Sequence, residues 1–428
     1  MTGTYHLVTL GCPKNQVDSD KLAGTLAADG MQAVNGAGEA DLIVVNTCAF
    51  VDEARRESID TVLALADKRR DGARLVVTGC MAERYGDELA EALPEVDRVA
   101  GFGVPVTLGP KPSSGIQPET APLFDLLNLP RPASDRPWAY VKVAEGCDRA
   151  CGFCAIPTFR GPQRSRSMDD VLAEVDALDA REIILVAQDL AAFGRDQGVG
   201  DKAIVPLVEA VAARVDRVRL LYLYPSELTD RLVDAVCVTG VPYFDLSLQH
   251  VSSPLMRRMR RWGDGGRFLE RIEAIRAREP EAAFRSNFIV GYPGETEAEF
   301  DYMLDWLDEA QLDRVGCFKY ENVAGARSND LPDHVPEEVK QERWERFMQK
   351  AQAISEAKLE AKVGQHLQVI VDEVDEEAAT CRTMADAPEI DGNLFIDEGH
   401  EILKPGDMLT VKVDEAGEYD LWGRMIGS

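Results

Sequence analysis

The chain has 428 residues, 45% of them hydrophobic and 29% charged, which fits a globular protein and is too long for one ordinary core. No apolar run reaches the ~20 residues of a bilayer-spanning helix. The opening MTGTYHLVTLGCPKN also lacks the basic-then-apolar order of a secretion signal, so a cytoplasmic protein is expected. With 47 Lys and Arg against 75 Asp and Glu the net charge is −28, which repels a phosphate backbone and attracts a basic protein, or serves only to keep the chain in solution.

Up to about residue 118, short β-rich runs alternate with helical patterns. Strands are expected at Tyr5–Leu10, Asp41–Val45 and Arg74–Val77, with a helix over Val51–Lys68. That alternation is the signature of a parallel α/β sheet. The stretch GPKPSSGIQPETAP then reads as a linker. From 133 to 362 the alternation resumes at wider spacing, with strands expected near 139–143, 182–187, 217–223, 243–248, 284–290 and 314–320. Six such βα units predict a partial TIM-like barrel whose chemistry sits at the carboxyl ends of its strands. An amphipathic helix over Pro336–Ala361 follows. Residues 364–428 change character: LQVIVDEV and MLTVKV, with turns at Asp391–Gly392 and Pro405–Gly406, predict a small antiparallel β-barrel. The expected domains are therefore 1–118, 133–362 and 364–428. From Lys362 onward five Lys and Arg face sixteen Asp and Glu, a balance of −11.

Nine cysteines, an odd number, make a poor disulfide framework. Cys237, Cys317 and Cys381 share no spacing and read as small buried apolar residues. The other six form two sets. The strand WAYVKVAEG runs directly into Cys147, Cys151 and Cys154, three thiolates within eight residues. Such a CxxxCxxC loop wraps one corner of a cubane cluster and leaves one iron without a protein ligand. A zinc site wants a fourth Cys or His, and none of the histidines lies within forty residues of the motif. An open iron chelates the amino and carboxylate groups of S-adenosylmethionine, and one electron then releases a 5′-deoxyadenosyl radical. Phe153, inside the loop, suits either an adenine contact or loop packing. Cys12, Cys48 and Cys80 each fall one to three residues past the end of an expected parallel strand. All three should converge on one sheet edge, and three soft ligands there imply a second cluster.

Together these motifs resemble the methylthiotransferase family of radical S-adenosylmethionine enzymes over essentially the whole chain. The pieces are LGCPKNQVDSD, NTCAFVDEA, TGCMAERY, EGCDRACGFCAIPTFRG, FIVGYPGETEAEF and a terminal segment similar to a TRAM domain. Gln188-Asp189 and Leu248-Gln249-His250 stand where the tRNA-modifying branch typically reads QN and PVQS. The similarity is therefore greatest to the RimO-type branch, which methylthiolates the β-carbon of an aspartate in small-subunit ribosomal protein twelve. Ser247, Trp138 and Tyr292 depart from the usual residues. The resemblance implies two [4Fe-4S] clusters, with Cys147, Cys151 and Cys154 holding the radical one and Cys12, Cys48 and Cys80 the auxiliary one. It also implies hydrogen abstraction from carbon, sulfur insertion, methyl transfer from a second S-adenosylmethionine, and an electron donor such as flavodoxin or ferredoxin. No membrane partner is expected. A tRNA adenosine methylthiotransferase is the same-fold competitor, disfavoured by the acidic terminal segment. A non-catalytic cluster scaffold or electron carrier would need neither the barrel nor the open iron.

Three residues end expected barrel strands on the cofactor edge: Gln188, Gln249 and Gly291. They suit, in turn, the methionine amino group, a ribose hydroxyl and close backbone approach to adenine, or they merely cap the sheet. Arg160, Arg164 and Arg166 either bind a cofactor or substrate carboxylate or lie in a solvated loop. The terminal barrel reads as a separable acidic module. Asp372, Glu373, Asp375, Glu376 and Glu377 are expected to steer a basic substrate, and deletion of 364–428 is expected to spare cofactor cleavage.

Overall fold

The structure, a computed structural model, describes residues 3–106, 125–199 and 203–426, so the linker expected at 109–122 lies outside the described residues. It separates into two compact units. One comprises Met1–Ala133, Lys142–Asp148 and Ala155–Ala177, the other Ser134–Val141, Arg149–Cys154 and Leu178–Ser428.

In the first unit the chain forms β1 (Thr4–Thr9), α1 (Pro13–Ala28), β2 (Gln32–Ala33), β3 (Leu42–Thr47), α2 (Asp52–Lys68), β4 (Arg74–Gly79), α3 (Cys80–Ala92) and β5 (Arg98–Val99). The sheet is wholly parallel, in the order β2-β1-β3-β4-β5. Side chains alternate across it. Ile43, Val45, Leu75 and Val77 enter one apolar core, and Leu42, Val44 and Val76 the other. A strand buried on both faces reads as an unbroken apolar run, which is why LIVVNT and RLVVTG were legible. The edge strands β2 and β5 are two residues long and leave no such pattern.

The chain continues through β6 (Trp138–Lys142), β7 (Ala144–Glu145), α4 (Ile156–Arg160), β8 (Arg164–Ser165) and α5 (Met168–Leu178). It then alternates β9 (Glu182–Val186), α6 (Ile204–Ala212), β10 (Arg217–Leu223), α7 (Asp230–Cys237), β11 (Tyr243–Gln249), α8 (Ser253–Arg258), α9 (Gly265–Arg278), β12 (Ala283–Val290), α10 (Glu297–Ala310) and β13 (Arg314–Lys319). Strands β6 and β9 to β13 form a six-stranded sheet in sequential order. All six strands were expected. The Thr296 hydroxyl and Glu299 carboxylate close a capping box at the start of α10. After α11 (Glu337–Glu360) come β14 (His366–Val374), β15 (Ala379–Thr383), β16 (Leu394–Ile396), β17 (Met408–Ala416) and β18 (Leu421–Met425). These last strands close into a barrel in the order β14-β15-β16-β18-β17. Every pairing in it is antiparallel except β16 with β18.

The small barrel is not a detachable module. It closes over the amino ends of the large sheet, where the strands begin with charged residues. Buried Glu182 receives Arg219 at 2.9 Å and Arg382 of β15 at 3.0 Å, and Arg382 also pairs with Asp372. Arg219 donates to the Met384 carbonyl at 3.1 Å, Tyr140 to the Pro388 carbonyl at 2.7 Å and Tyr243 to Asp391 at 2.6 Å. Arg314 pairs with Asp386. Deleting 364–428 would strand these charges, so the expected survival of cofactor cleavage is withdrawn. Asp372 likewise drops out of the steering set. No described helix is long and apolar enough to cross a membrane. None of the nine cysteines is in a disulfide, and of Cys237, Cys317 and Cys381 only the last is fully buried.

Burial alone would raise the Glu182 carboxyl, but Arg382, Arg219 and Arg217 hold it down at about 2, from an ordinary 4.5. Its contribution to stability is therefore complete above pH ~4.5 and lost as the pH falls toward 2. Glu182→Ala takes the carboxylate partner from buried Arg219 and leaves Arg382 with Asp372 alone, and should destabilise the protein by roughly 3–5 kcal/mol. Chemical denaturation at pH 7 and pH 3 checks both points: the gap between variant and parent should be wide at the first pH and narrower at the second.

Candidate functional site

Parallel pairing of β1, β3 and β4 puts their carboxyl ends on one edge, and the register runs to Thr9↔Asn46 and Thr47↔Gly79. Cys12 caps α1, Cys48 follows β3 directly, and Cys80 opens α3. Asn15, fully buried on the first turn of α1, ties the three together. Its amide nitrogen donates to the carbonyls of Leu10 (2.9 Å) and Thr47 (3.1 Å), and its oxygen accepts from the Cys80 thiol at 3.5 Å. Backbone approach is equally close. Gly79 has φ +90°, and a Cβ there would lie 2.2 Å from Asn46 Oδ1. At Gly11, with φ +96°, a Cβ would lie 2.9 Å from the Cβ of Cys48. Only glycine fits both demands, which explains the Gly-Cys dipeptides in LGC and TGC.

Burial pushes Cys48 up to about 11, with Cys80 and Cys12 adding to the rise, and burial also raises Cys80. Burial acts the same way on Cys12, but Lys14, Arg160 and the backbone N–H groups of Asn15 and Lys14 outweigh it and hold that thiol low. Cys12 is the readiest thiolate, and the positive charge of a bound metal would favour the thiolate form of the other two. Among the described residues no three His, Cys, Asp or Glu side chains converge on a single metal ion. A cubane binds each thiolate at a different iron and so calls for a wider triangle than one ion does. Three thiols on one edge, with no hard ligand in the set, fit an iron–sulfur cluster.

In the second set Cys147 belongs to the first unit and Cys151 and Cys154 to the second. The Cys147 N–H donates to the Gly161 carbonyl at 3.1 Å. In the second unit the loop is pinned by Gly152 N–H to the Met259 carbonyl (2.8 Å) and Ser328 N–H to the Gly152 carbonyl (2.9 Å). Arg261 donates to the Cys151 sulfur at 3.1 Å. Arg149, between the first two cysteines, lies over the Tyr224 ring and pairs with Asp189 at 2.6 Å and Glu227 at 2.8 Å. Asp189 of the Gln188-Asp189 motif thus anchors the loop. A Cβ at Gly152 would meet the Tyr292 hydroxyl at 2.5 Å, so Tyr292 packs directly against the loop. Phe153 is half-buried against the apolar cluster of Leu255, Met259, Ile289, Tyr292 and Tyr320.

Gln188 lies two residues past β9, and Gln249 is the last residue of β11 with φ +73°. Gly291 follows β12. Its N–H donates to Glu295, and the group that approaches it closely is the Lys340 side chain. His250 is fully buried: it accepts from the Ser252 N–H at Nδ1 and faces Glu295 at 3.1 Å through Nε2, a turn-holding role. Each of the three arginines beyond the loop pairs with a carboxylate of the chain itself, Arg160 and Arg166 buried and Arg164 partly exposed. Arg164 makes two 2.7 Å bonds to Asp125, Arg166 pairs with Glu174 at 2.6 Å, and Arg160 is buried with Glu145 at 2.7 Å. Sequence reasoning missed Asn15, Arg149 and Arg261, although CPKN and CDRAC place the first two beside cysteines.

The pattern of the radical SAM superfamily matches residues 141–307, that of the TRAM domain residues 363–426, and that of uncharacterized protein family UPF0004 residues 4–101. A protein of Ruegeria pomeroyi named ribosomal protein uS12 methylthiotransferase RimO is 48% identical, over 99% of this chain and 93% of its own. Proteins of the same name from Cereibacter sphaeroides and Roseobacter denitrificans are 49% and 48% identical over 99% of this chain, covering 93% and 94% of theirs. A solved radical S-adenosylmethionine methyltransferase from Kitasatospora setae covers 77% of each chain at a TM-score of 0.47 and 12% identity, too loose a likeness to bear on function.

Asn15→Ala should leave two buried carbonyls unpaired, at about 1–3 kcal/mol each, and reduce iron uptake while sparing the CxxxCxxC site. Iron content of the anaerobically reconstituted variant, with urea denaturation alongside, checks this. Unchanged iron and stability would remove Asn15 from the site.

Proposed function

Because the chain belongs to the RimO family of ribosomal protein uS12 methylthiotransferases, we propose that it methylthiolates the β-carbon of an aspartate of that ribosomal protein, using two [4Fe-4S] clusters. It is a radical S-adenosylmethionine methylthiotransferase with an iron–sulfur cluster and S-adenosylmethionine as cofactors. In this reading Cys147, Cys151 and Cys154 hold the radical cluster, and Cys12, Cys48 and Cys80 the auxiliary one. The observation that carries the two-cluster reading is the meeting of Cys12, Cys48 and Cys80 at one sheet edge around Asn15. When bound, the radical cluster supplies an electron to cleave the sulfonium, and the auxiliary one a site for sulfur.

The chain's own residues bind and orient. Arg149, locked by Asp189 and Glu227, fixes the loop between Cys147 and Cys151. Arg261 donates to the Cys151 sulfur. Gln188, Gln249 and Gly291, at the carboxyl edge of the large sheet, are proposed to line the cofactor, with Phe153 buttressing the loop from its apolar side. The domain division at 1–118, 133–362 and 364–428 is proposed as the division of labour: auxiliary cluster, radical chemistry and substrate capture. Flavodoxin or ferredoxin is the proposed electron donor. A net charge of −28 supports a basic protein substrate over tRNA.

Reconstituted protein should bind about eight irons, and Cys48→Ala and Cys151→Ala about four each. Cys48→Ala should still produce 5′-deoxyadenosine while losing sulfur insertion. A folded Cys48→Ala protein lacking both activities would contradict the division between clusters. In cells lacking the gene, mass spectrometry should show uS12 without its methylthio group and unchanged tRNA, and the opposite result would promote the tRNA reading. Neutralising the exposed Glu373, Glu376 and Glu377 should weaken substrate capture at ~0.1 M salt and hardly at all at ~1 M, where the Debye length falls from ~10 to ~3 Å.

A further inference from the structure

Arg160 is the last residue of α4, six positions beyond Cys154, yet it reaches the other cysteine set. Its Nη2 lies 2.9 Å from the Cys80 sulfur and 3.1 Å from Asn15 Oδ1, and its Nη1 lies 2.7 Å from Glu145 and 3.8 Å from Asp18. The guanidinium sits 4.4 Å from the centre of the Phe102 ring, and the side chain is 3% exposed. All these residues belong to the first unit.

An ion pair alone does not account for this geometry. Lys142, equally buried, already pairs with both Asp18 and Glu145. The second arm of the fork is turned instead to a sulfur, and a neutral thiol is a poor acceptor for a buried cation. A thiolate that ligates a negatively charged cluster is a good one. Arginine holds its charge at every working pH, so the donor is permanent. Hydrogen bonds and positive charge at a cluster's sulfurs favour its reduced, more negative state and raise its reduction potential.

We propose that Arg160 is the positioning residue of the N-terminal cluster, fixing the Cys80 sulfur and setting the cluster's potential from the segment that carries the radical motif. This rests on the two-cluster reading above. It assigns to one side chain two effects, ligand placement and charge, that conservative substitutions separate.

The test uses the full chain with Cys147, Cys151 and Cys154 all changed to Ala, so that only the N-terminal cluster reports. Iron is counted after anaerobic reconstitution, and the midpoint potential is read by electron paramagnetic resonance along a redox titration. Arg160→Gln should shift the potential to a more negative value, and Arg160→Lys, which keeps the charge and loses the fork, should recover part of the shift. Glu145→Gln, which removes the opposing charge without touching Cys80, should move it the other way. Loss of iron in Arg160→Gln with retention in Arg160→Lys also supports the assignment. Coinciding potentials in all three variants, at about four irons each, would overturn it. A parent protein that binds no iron would instead sink the N-terminal cluster itself, so the two failures are distinguishable.

Discussion

A parallel ladder has a direction, and the N-terminal site depends on it. Because β1, β3 and β4 pair in parallel register, three cysteines spread over 69 positions of sequence, from Cys12 to Cys80, leave the sheet on the same edge. Any other polarity would scatter them. The ladder then imposes its own demand: turns that follow adjacent strands crowd one another, and Gly11 and Gly79 relieve that crowding by having no side chain. Asn15 completes the arrangement by satisfying carbonyls from two strand ends with one amide.

Charge is buried repeatedly in this chain, and in each case it joins segments distant in sequence. In the first unit Lys142, Asp18, Glu145 and Arg160 form a neutral four-membered group beside Cys80. In the second, Glu182 at the head of β9 gathers Arg219 and Arg382 and so joins the small barrel to the large sheet. A buried pair adds little net stability over apolar packing, but losing one partner is expensive. Such groups therefore act as couplings: neither segment can leave without exposing the other's charge to an apolar surround.

That coupling changes the reading of the terminal barrel. Its acidity looked like one uniform field suited to steering a basic partner. The structure divides it into charges that hold the fold, such as Asp372, Asp386 and Asp391, and exposed ones free to act at a distance, such as Glu373, Glu376 and Glu377. Composition counts both kinds alike.

The sequence by itself determined the fold class, all three main strands of the first sheet and all six of the second. Periodicity, apolar runs and spacing along the chain are local, and they survive without coordinates. Tertiary structure alone decided what the polar residues near the cysteines do. Arg160, Arg164 and Arg166 looked alike in RGPQRSRS, yet each found a different carboxylate. Phe153 and Tyr292 pack at the loop, and His250 became a buried brace. Asn15 gave no sign of its burial. A polar side chain is defined by its partner, and the local pattern of the chain does not say which carboxylate that will be.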